Sequence, residues 1–207
     1  MTHEPAEDFA GERLVTLDTD HPVWDRFFTV APLVLVGTRE EDGGDDFAPK
    51  HRAPPMGWEN YFGFVCTPRH GTYRNIERDG IFTVTFPKPS QIVVSSLAAA
   101  PRCGDDIKPS IRALPRFAAS QVEASFVRDG YVFLECRLER MLDGFGVNSL
   151  IIGRIVAAHV DQGALRASER DDAELIHGNP LLAYLSPGRF AEVKDTFSFP
   201  FPADFRK

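Results

Sequence analysis

The chain has 207 residues, of which 43% are hydrophobic and 26% charged, and its formal net charge is −7. This length suits one domain with a sizeable core, and the composition is that of an ordinary soluble globular protein. The acidic balance argues against a nucleic-acid binder, which would carry a basic face. No apolar run approaches the roughly 20 residues that cross a bilayer, so we expect no membrane partner.

The cysteines and the first residues predict a cytoplasmic protein. Cys66, Cys103 and Cys136 are odd in number and widely spaced, which argues against a disulfide framework and agrees with a reducing compartment. The opening stretch, MTHEPAEDFAGER, lacks the basic and apolar regions of a signal peptide.

Short apolar runs predict strands in the first half of the chain. Residues 33–36, 61–65 and 81–86 are rich in β-branched and aromatic side chains and are bounded by Gly, Pro and Asp. Before them, Asp20 can cap a short helix with the sequence HPVWDRFF. The EEDGG sequence at 40–44 predicts a hairpin, because glycine supplies the positive φ of tight turns.

The sequence RHGTYRNIERDG, between the second and third of these strands, predicts a short helix. Thr72 can cap it, and Tyr73 and Ile76 are its apolar positions. Gly80 stands where a left-handed C-terminal residue belongs.

Positive charge is concentrated beside this helix. Residues 47–78 hold five Lys and Arg against two acids, a local balance of +3 in a chain of −7. Arg69, His70 and Arg74 flank the helix start, where unpaired N–H groups and the positive end of the dipole favour an anion such as phosphate. The alternative, ordinary solvated charges beside a helix, stays open.

Further segments lie between the predicted strands, and the first of them, a loop, could form a wall of a ligand pocket. Adjacent prolines in KHRAPPMGW, residues 50–58, force the chain out of the sheet. Residues 91–100, QIVVSSLAAA, predict a helix. Residues 102–115, punctuated by Gly and Pro, predict an excursion or lid.

The second half of the chain predicts further strands. Asp129-Gly130 between two alternating runs, 120–127 and 131–142, predicts a hairpin, and on its second strand Cys136 falls on the core face. Residues 149–160 are long for one strand, and Gly153 in their middle predicts a bulge. Five or six strands with few helices predict a mainly β fold, a β-barrel.

Residues 162–207 predict a C-terminal extension to a barrel core at about 30–161. We expect its aromatic side chains to pack across a dimer partner or to cap their own barrel, because they would not remain in water. They are Phe190, Phe197, Phe199, Phe201 and Phe205.

The order of these segments resembles the flavin reductase-like family, whose fold is the FMN-binding split barrel. DFAPKH is similar to the family's N-x-A-P-x-S element, with Ala48 and Pro49 matching, Asp46 in place of Asn and His51 in place of Ser. Thr72, Asn75 and Ile76 match its T-x-x-N-I element, and NSLIIGRIVAAHV at 148–160 is similar to its closing strand. The resemblance covers roughly 32–161 and implies one such domain over residues 1–207.

The resemblance implies an FMN site in three parts. The isoalloxazine ring would be bordered by the backbone of Ala48, Pro49 and Lys50 and by the side chain of His51. The ring or ribityl chain would contact Cys66 and Thr67. The phosphate would be gathered by Arg69, His70, Thr72 and Asn75. The catalytic residues stay unknown, because hydride transfer to flavin N5 is the cofactor's own reaction.

The resemblance also implies a homodimer that reduces FMN, with FAD as the alternative flavin and NAD(P)H as a small-molecule donor. The family's G-D-H segment, whose histidine is associated with the nicotinamide site, is replaced here by Gly146, Val147 and Asn148. A second hypothesis is therefore a non-catalytic FMN carrier or electron-transfer flavoprotein without a nicotinamide site.

Cys66 and His70 are spaced as C-x-x-x-H, which suggests two other kinds of site, a zinc site and a nucleophilic dyad. A structural zinc site needs four ligands in two close pairs, and no second pair is present, so we expect no metal. A Cys66–His70 nucleophilic dyad is conceivable, although a thiol at this position is more often a small core residue.

Overall fold

The computed structural model describes residues 14–104, 108–167 and 169–202, and most of its regular structure is β-strand. The strands are β1 (Thr29–Pro32), β2 (Val34–Arg39), β3 (Asp45–Lys50), β4 (Tyr61–Cys66), β5 (Ile81–Phe86), β6 (Arg116–Ala118), β7 (Ser125–Val127), β8 (Val132–Phe145), β9 (Asn148–Val160), β10 (Leu181–Ser186) and β11 (Arg189–Val193). The helices are α1 (Gly71–Asp79), α2 (Ile92–Ala98) and α3 (Asp172–Gly178), with 3-10 turns at Pro89–Gln91 and Pro109–Ala113. The predicted mainly β fold is confirmed.

Six antiparallel strands form the main sheet, in the order β3-β2-β5-β8-β9-β4. The sheet curls into a half-barrel, so its edge strands β3 and β4 approach each other. The loop after β3 closes the gap: the Arg52 carbonyl accepts from the Val65 amide at 2.9 Å, and the Pro54 carbonyl accepts from the Gly63 amide at 3.1 Å. The prolines thus leave the sheet, as predicted, and line its seam. A second sheet, β1-β10-β11, lies beside the half-barrel.

The interior of the half-barrel is filled by aromatic and β-branched side chains. Phe64 and Phe82 meet edge to face, with ring centroids 5.4 Å apart. Cys136 is fully buried, which confirms its predicted place in the core. The β8–β9 register shifts next to the Leu138–Gly153 pair, but the extra residue, Glu139, is on β8, so the irregularity lies opposite the predicted bulge or bend at Gly153 and not at the glycine itself. A side chain at Gly153 would overlap the Phe82 ring.

Two turn predictions are confirmed by backbone geometry. The EEDGG sequence connects β2 and β3 as a hairpin, with Gly43 at φ 84° and the Glu40 amide donating to the Gly44 carbonyl at 2.7 Å. Gly80 ends α1 in the left-handed conformation, at φ 66°. The N-terminal prediction was wrong, because His70 is the N-cap and Thr72 lies inside the first turn.

The predicted hairpin around Asp129-Gly130 was wrong. A turn is present, with Asp129 at φ 68°, but β7 pairs with β6, whereas β8 pairs with β5 and β9. The chain instead crosses the end of β5, where the Val127 amide donates to the Thr85 hydroxyl at 3.3 Å and the Tyr131 amide donates to the Phe86 carbonyl at 2.9 Å. These bonds to β5 replace the hairpin ladder.

The helix predicted after Asp20 was also wrong, because residues 21–28 form only turns and bends. The side chains of Trp24, Phe27 and Phe28 are largely exposed, so the segment has no core contact to stabilise so short a helix. The helix predicted at 91–100 is confirmed as α2, within Ile92–Ala98.

The C-terminal aromatic residues do not cap their own barrel. Phe197, Phe199 and Phe201 are 97%, 71% and 50% exposed, and Phe205 lies outside the described residues. Across the described part of the chain, no helix is both long enough and apolar enough to cross a membrane.

A fully buried carboxylate on β8 anchors the loop between β6 and β7. Glu135 accepts hydrogen bonds from the Ser120 amide at 2.9 Å, the Ser120 hydroxyl at 2.7 Å and the Val122 amide at 3.0 Å, and also from the Gln121 amide. The Nε2 atom of His159 lies 3.2 Å from the same carboxylate, so this histidine has a structural partner. Burial alone would raise the pKa of Glu135, but these hydrogen bonds outweigh it and hold the pKa at about 2.

We expect Glu135→Gln to lower the free energy of unfolding by about 2–3 kcal/mol, because a neutral amide replaces a charged acceptor of several bonds. Chemical denaturation at pH 7 measures the loss. Glu139→Gln, at an exposed position on the same strand, is the control and should change stability by less than about 0.5 kcal/mol. Equal denaturation midpoints for the two variants would contradict the anchoring role.

The difference in unfolding free energy between wild type and Glu135→Gln should depend on pH. Because the folded-state pKa lies below the ordinary value of 4.5, the Glu135 contribution is complete above about pH 4.5 and is lost as the pH falls towards 2. The stability difference between wild type and Glu135→Gln should therefore shrink over that range. A difference that widens in acid would reverse the assigned sign.

Candidate functional site

A cavity of about 470 Å³ opens where β3, the start of α1 and the segment after α2 meet. Its volume lies within the range of small-molecule sites. The lining residues are Asp46, Ala48, Pro49 and Lys50 from β3, Arg69, His70, Gly71, Thr72 and Arg74 at the start of α1, and Ala98, Ala99, Ala100, Pro101, Arg102 and Lys108.

Strand β3 forms one wall because it is an edge strand with alternating faces. Side chains two residues apart share a face, so Asp46, Ala48 and Lys50 are presented together. Pro49 is tolerated in β3 because this strand pairs with β2 on one side only. The wall therefore combines a small apolar surface with one charge at each end.

The start of α1 forms the opposite wall. A side chain at Gly71 would overlap the guanidinium of Arg102, so this glycine lets the arginine lie close to the helix. Asn75 attaches α1 to β2, because its side-chain amide donates to the Thr38 hydroxyl at 3.1 Å. The same side chain accepts from Arg78 of α1 at 3.3 Å. The first turn of α1 thus presents its amides to the cavity beside Arg69 and Arg74.

Six of the ten residues predicted for the site line this cavity, and four do not. The six are Ala48, Pro49, Lys50, Arg69, His70 and Thr72. Cys66 lies behind Lys50, and the ring of His51 packs on that of Tyr184, with centroids 4.6 Å apart. Thr67 lines a smaller pocket against residues 143–149, and Asn75 holds α1 on β2. The role of each of the ten towards a flavin stays a prediction.

Sequence reasoning missed two cations of the cavity, Arg102 and Lys108. Both bond the buried carboxylate of Asp46, with Arg102 at 3.3 Å and Lys108 at 3.1 Å. Arg102 also pairs with Glu40, and Lys108 donates to the Phe47 carbonyl at 2.8 Å and the Ala98 carbonyl at 3.0 Å. The available signal was a pair of cations in a Gly- and Pro-punctuated segment of an acidic chain.

The cavity is strongly cationic. Asp46 is the one acidic residue among those that line it, against Lys50, Arg69, Arg74, Arg102 and Lys108. The histidines add hydrogen-bonding capacity, not charge. Burial, followed by the charge of Lys50, lowers the pKa of His70, and burial, followed by Arg52, lowers the pKa of His51, so both rings are neutral at pH 7.

Cys66 lies closer to Lys50 than to His70. The Lys50 ammonium donates to its sulfur at 3.3 Å, whereas His70 Nδ1 is 4.0 Å away. The thiol is buried, which agrees with the alternative of a small core residue. Among the described residues, no group of three or more His, Cys, Asp or Glu side chains could hold a metal ion.

A curled antiparallel half-barrel with a cationic cavity beside its first helix defines the split-barrel class of protein. Nitrilotriacetate monooxygenase component B from Bacillus cereus matches with a TM-score of 0.75 at 18% identity, covering 90% of this chain and 98% of that chain. Flavoredoxin from Methanosarcina acetivorans matches with 0.74 at 18% identity, covering 92% and 96%. The FMN-binding protein from Thermus thermophilus matches with 0.72 at 19% identity, covering 90% and 99%.

The chain belongs to the flavin reductase-like family. The family model described as "Flavin reductase like domain" matches residues 27–190, most of the chain. No curated protein sequence matches it. The resemblance that the DFAPKH and TPRHGTYRNI segments carried is therefore confirmed, and so is the split-barrel fold.

We expect Asp46→Asn to lower the free energy of unfolding by about 3 kcal/mol, because it leaves Arg102 and Lys108 without their shared buried carboxylate. Asp45→Asn is the matched control on the same strand. Asp45 pairs with the more exposed Arg116, and its loss should cost about 1 kcal/mol or less. Equal losses in urea denaturation would show that the Asp46 cluster does not hold the cavity wall.

Proposed function

We propose that the protein is an FMN-binding flavoprotein and an NAD(P)H-dependent flavin reductase, which transfers a hydride from the nicotinamide to N5 of the flavin. The observation that carries the proposal is the cationic cavity, in which the Ala48-Pro49 surface of β3 faces the start of α1. Membership of the flavin reductase-like family supports a flavin ligand, and the similarity to a Thermus thermophilus protein named as FMN-binding supports FMN in particular. FAD stays possible.

The residues of the cavity fit the two chemically different halves of FMN. A phosphate dianion requires charge-assisted bonds, which Arg69, Arg74 and the first amides of α1 can donate. Within the described residues, the Arg69 side chain has no hydrogen-bonding partner, so its guanidinium is available to a ligand. An aromatic ring requires a small apolar surface, which Ala48 and Pro49 supply.

FMN, when bound, supplies the two-electron chemistry, and the chain has to bind it, orient it and exclude water. The segment from Ala98 to Arg102 lines a further side of the cavity and is tied to β3 through Lys108 and Arg102. His51 and His70 are neutral and can donate or accept one hydrogen bond each without adding charge. These roles require no acid–base pair, which agrees with the lack of one in the sequence.

The second candidate is a non-catalytic FMN carrier or electron-transfer flavoprotein. It is favoured by the turn between β8 and β9, where the family's G-D-H histidine would stand. Here Gly146 is at φ 63°, Val147 is exposed, and Asn148, the first residue of β9, stands at the histidine position. An amide side chain cannot take up a proton as an imidazole does. The similarity to proteins named flavoredoxin is compatible with this candidate.

We also propose a homodimer. The aromatic side chains of Phe197, Phe199 and Phe201 are exposed, as is Val30 on β1, and exposed apolar side chains in number are typical of an interaction surface. A second copy of the chain would cover them. Light scattering that returns the monomer mass would reject the homodimer.

The three free cysteines support a reducing compartment such as the cytoplasm.

The two candidates differ in one measurement. The purified protein should be yellow or take up FMN stoichiometrically, and adding NADH or NADPH under anaerobic conditions should bleach the flavin absorbance in a stopped-flow experiment. Bleaching with either donor supports the reductase. A protein that binds FMN but bleaches with neither donor is the carrier, and a protein that binds no flavin refutes both.

Arg69→Ala should weaken FMN binding by about 1.5–3 kcal/mol, the cost of losing a charged hydrogen-bond partner. Arg166→Ala is the control, because Arg166 lies on the surface, paired with Asp172, and does not line the cavity. Flavin fluorescence titration gives both dissociation constants. Equal constants for the two variants would remove Arg69 from the site.

A further inference from the structure

Lys50 differs from the paired cations of the cavity in what surrounds its charge. The residue is 92% buried at the end of β3, yet it lines the cavity. Its ammonium contacts a thiol, Cys66 Sγ at 3.3 Å, and the face of the Phe64 ring, with the centroid at 5.9 Å. Neither partner is a carboxylate, and within the described residues no carboxylate lies within ion-pairing distance of Lys50.

Two other cations of the same cavity are compensated. Lys108 bonds the carboxylate of Asp46 and two backbone carbonyls, and Arg102 bonds Asp46 and Glu40. An ammonium buried without a counter-charge costs several kcal/mol, so a cavity that contains one is built for a ligand that brings negative charge. The helix start already offers Arg69, Arg74 and the α1 amides to a phosphate, which leaves Lys50 for another part of the ligand.

The position of Lys50 indicates which part of the ligand it faces. Lys50 follows Ala48 and Pro49 on β3, the apolar surface on which the proposed function places the flavin ring. Oxidised flavin has a neutral ring. A hydride brings two electrons and one hydrogen to N5, so FMN and NAD(P)H give reduced FMN with one added negative charge on its ring, together with NAD(P)⁺.

We propose that the Lys50 ammonium is the counter-charge for the negative charge that the isoalloxazine ring gains on two-electron reduction, so that this cavity binds reduced FMN more tightly than oxidised FMN. The inference rests on the proposed FMN site and holds for both the reductase and the carrier. Charge near the flavin ring is a recognised means by which a protein tunes this cofactor. In a buried site an opposite charge is stabilised much more than in water.

The surrounding groups agree with a fixed charge in this role. His51 and His70, the histidines beside Lys50, are neutral at pH 7 because burial lowers their pKa. They therefore provide no second cation for the reduced ring. Cys66 holds the ammonium at the seam between β3 and β4.

The first test compares the affinities for oxidised and dithionite-reduced FMN, measured anaerobically. In Lys50→Gln, the preference for reduced FMN should fall at least tenfold, which lowers the midpoint potential of the bound flavin by about 30 mV. Lys50→Arg keeps the charge and should retain most of the preference. Lys88→Gln, which breaks the surface pair with Asp161 outside the cavity, should leave the preference unchanged.

An unchanged preference in Lys50→Gln overturns the inference and leaves the FMN site standing. Failure of the wild-type protein to bind either form of FMN refutes the proposed function itself. The two failures are therefore distinguishable.

A second test uses the protein without flavin. Lys50→Gln removes an uncompensated buried charge, so the apoprotein should denature at the same or a higher urea concentration than wild type. Lys108→Gln removes a compensated one and should denature at a lower concentration. If Lys50→Gln is destabilised as much as Lys108→Gln, then Lys50 is a structural residue and the inference fails.

Discussion

The closure between β3 and β4 is the constraint on which the rest of this structure depends. These strands are the two edges of one curled sheet, and they are joined by backbone bonds from the proline-containing loop and by the Lys50–Cys66 contact. An open sheet would leave both edges unpaired. Closing it brings the end of β3 opposite the start of α1, which follows β4 directly. The cavity exists because the seam and the helix start coincide.

Charge in this cavity is arranged in two ways with different consequences. Asp46 pairs with Arg102 and Lys108, and this cluster ties the segment after α2 to β3. Its charges are therefore paired within the protein and stabilise the cavity wall. Lys50 and Arg69 have no carboxylate partner within the described ranges, so in the proposed function their charges are left for the ligand. The sequence alone counts all of these residues as cations. Burial and partners separate those that build the wall from those that can bind.

Local patterns were sufficient for features that depend on neighbouring residues. The turn before β3, the left-handed Gly80 and the core position of Cys136 follow from turn chemistry and alternation, and the structure has all three. Features that depend on distant partners were missed. Glu135 alternates like an exposed strand residue and is buried by a loop that bonds its carboxylate. The Asp129-Gly130 turn is not part of a hairpin, because β5 accepts the hydrogen bonds that a partner strand would have taken. Nothing in the neighbouring residues indicates this.

The β8–β9 turn, which lacks the family's histidine, concerns the nicotinamide donor, whereas the cavity concerns the flavin. The two binding questions are therefore independent. Hydride transfer needs the donor ring held near the flavin, and the chemistry is the cofactor's own. A fixed cation behind the ring stabilises the reduced product whichever donor supplies the electrons. A reductase would use that stabilisation to favour the transfer, and a carrier would use it to hold the electrons until an acceptor arrives. Lys50 therefore has the same physical role in the proposed reductase and in the proposed carrier. The two differ in whether a nicotinamide can bind on the face of the flavin that is turned away from β3.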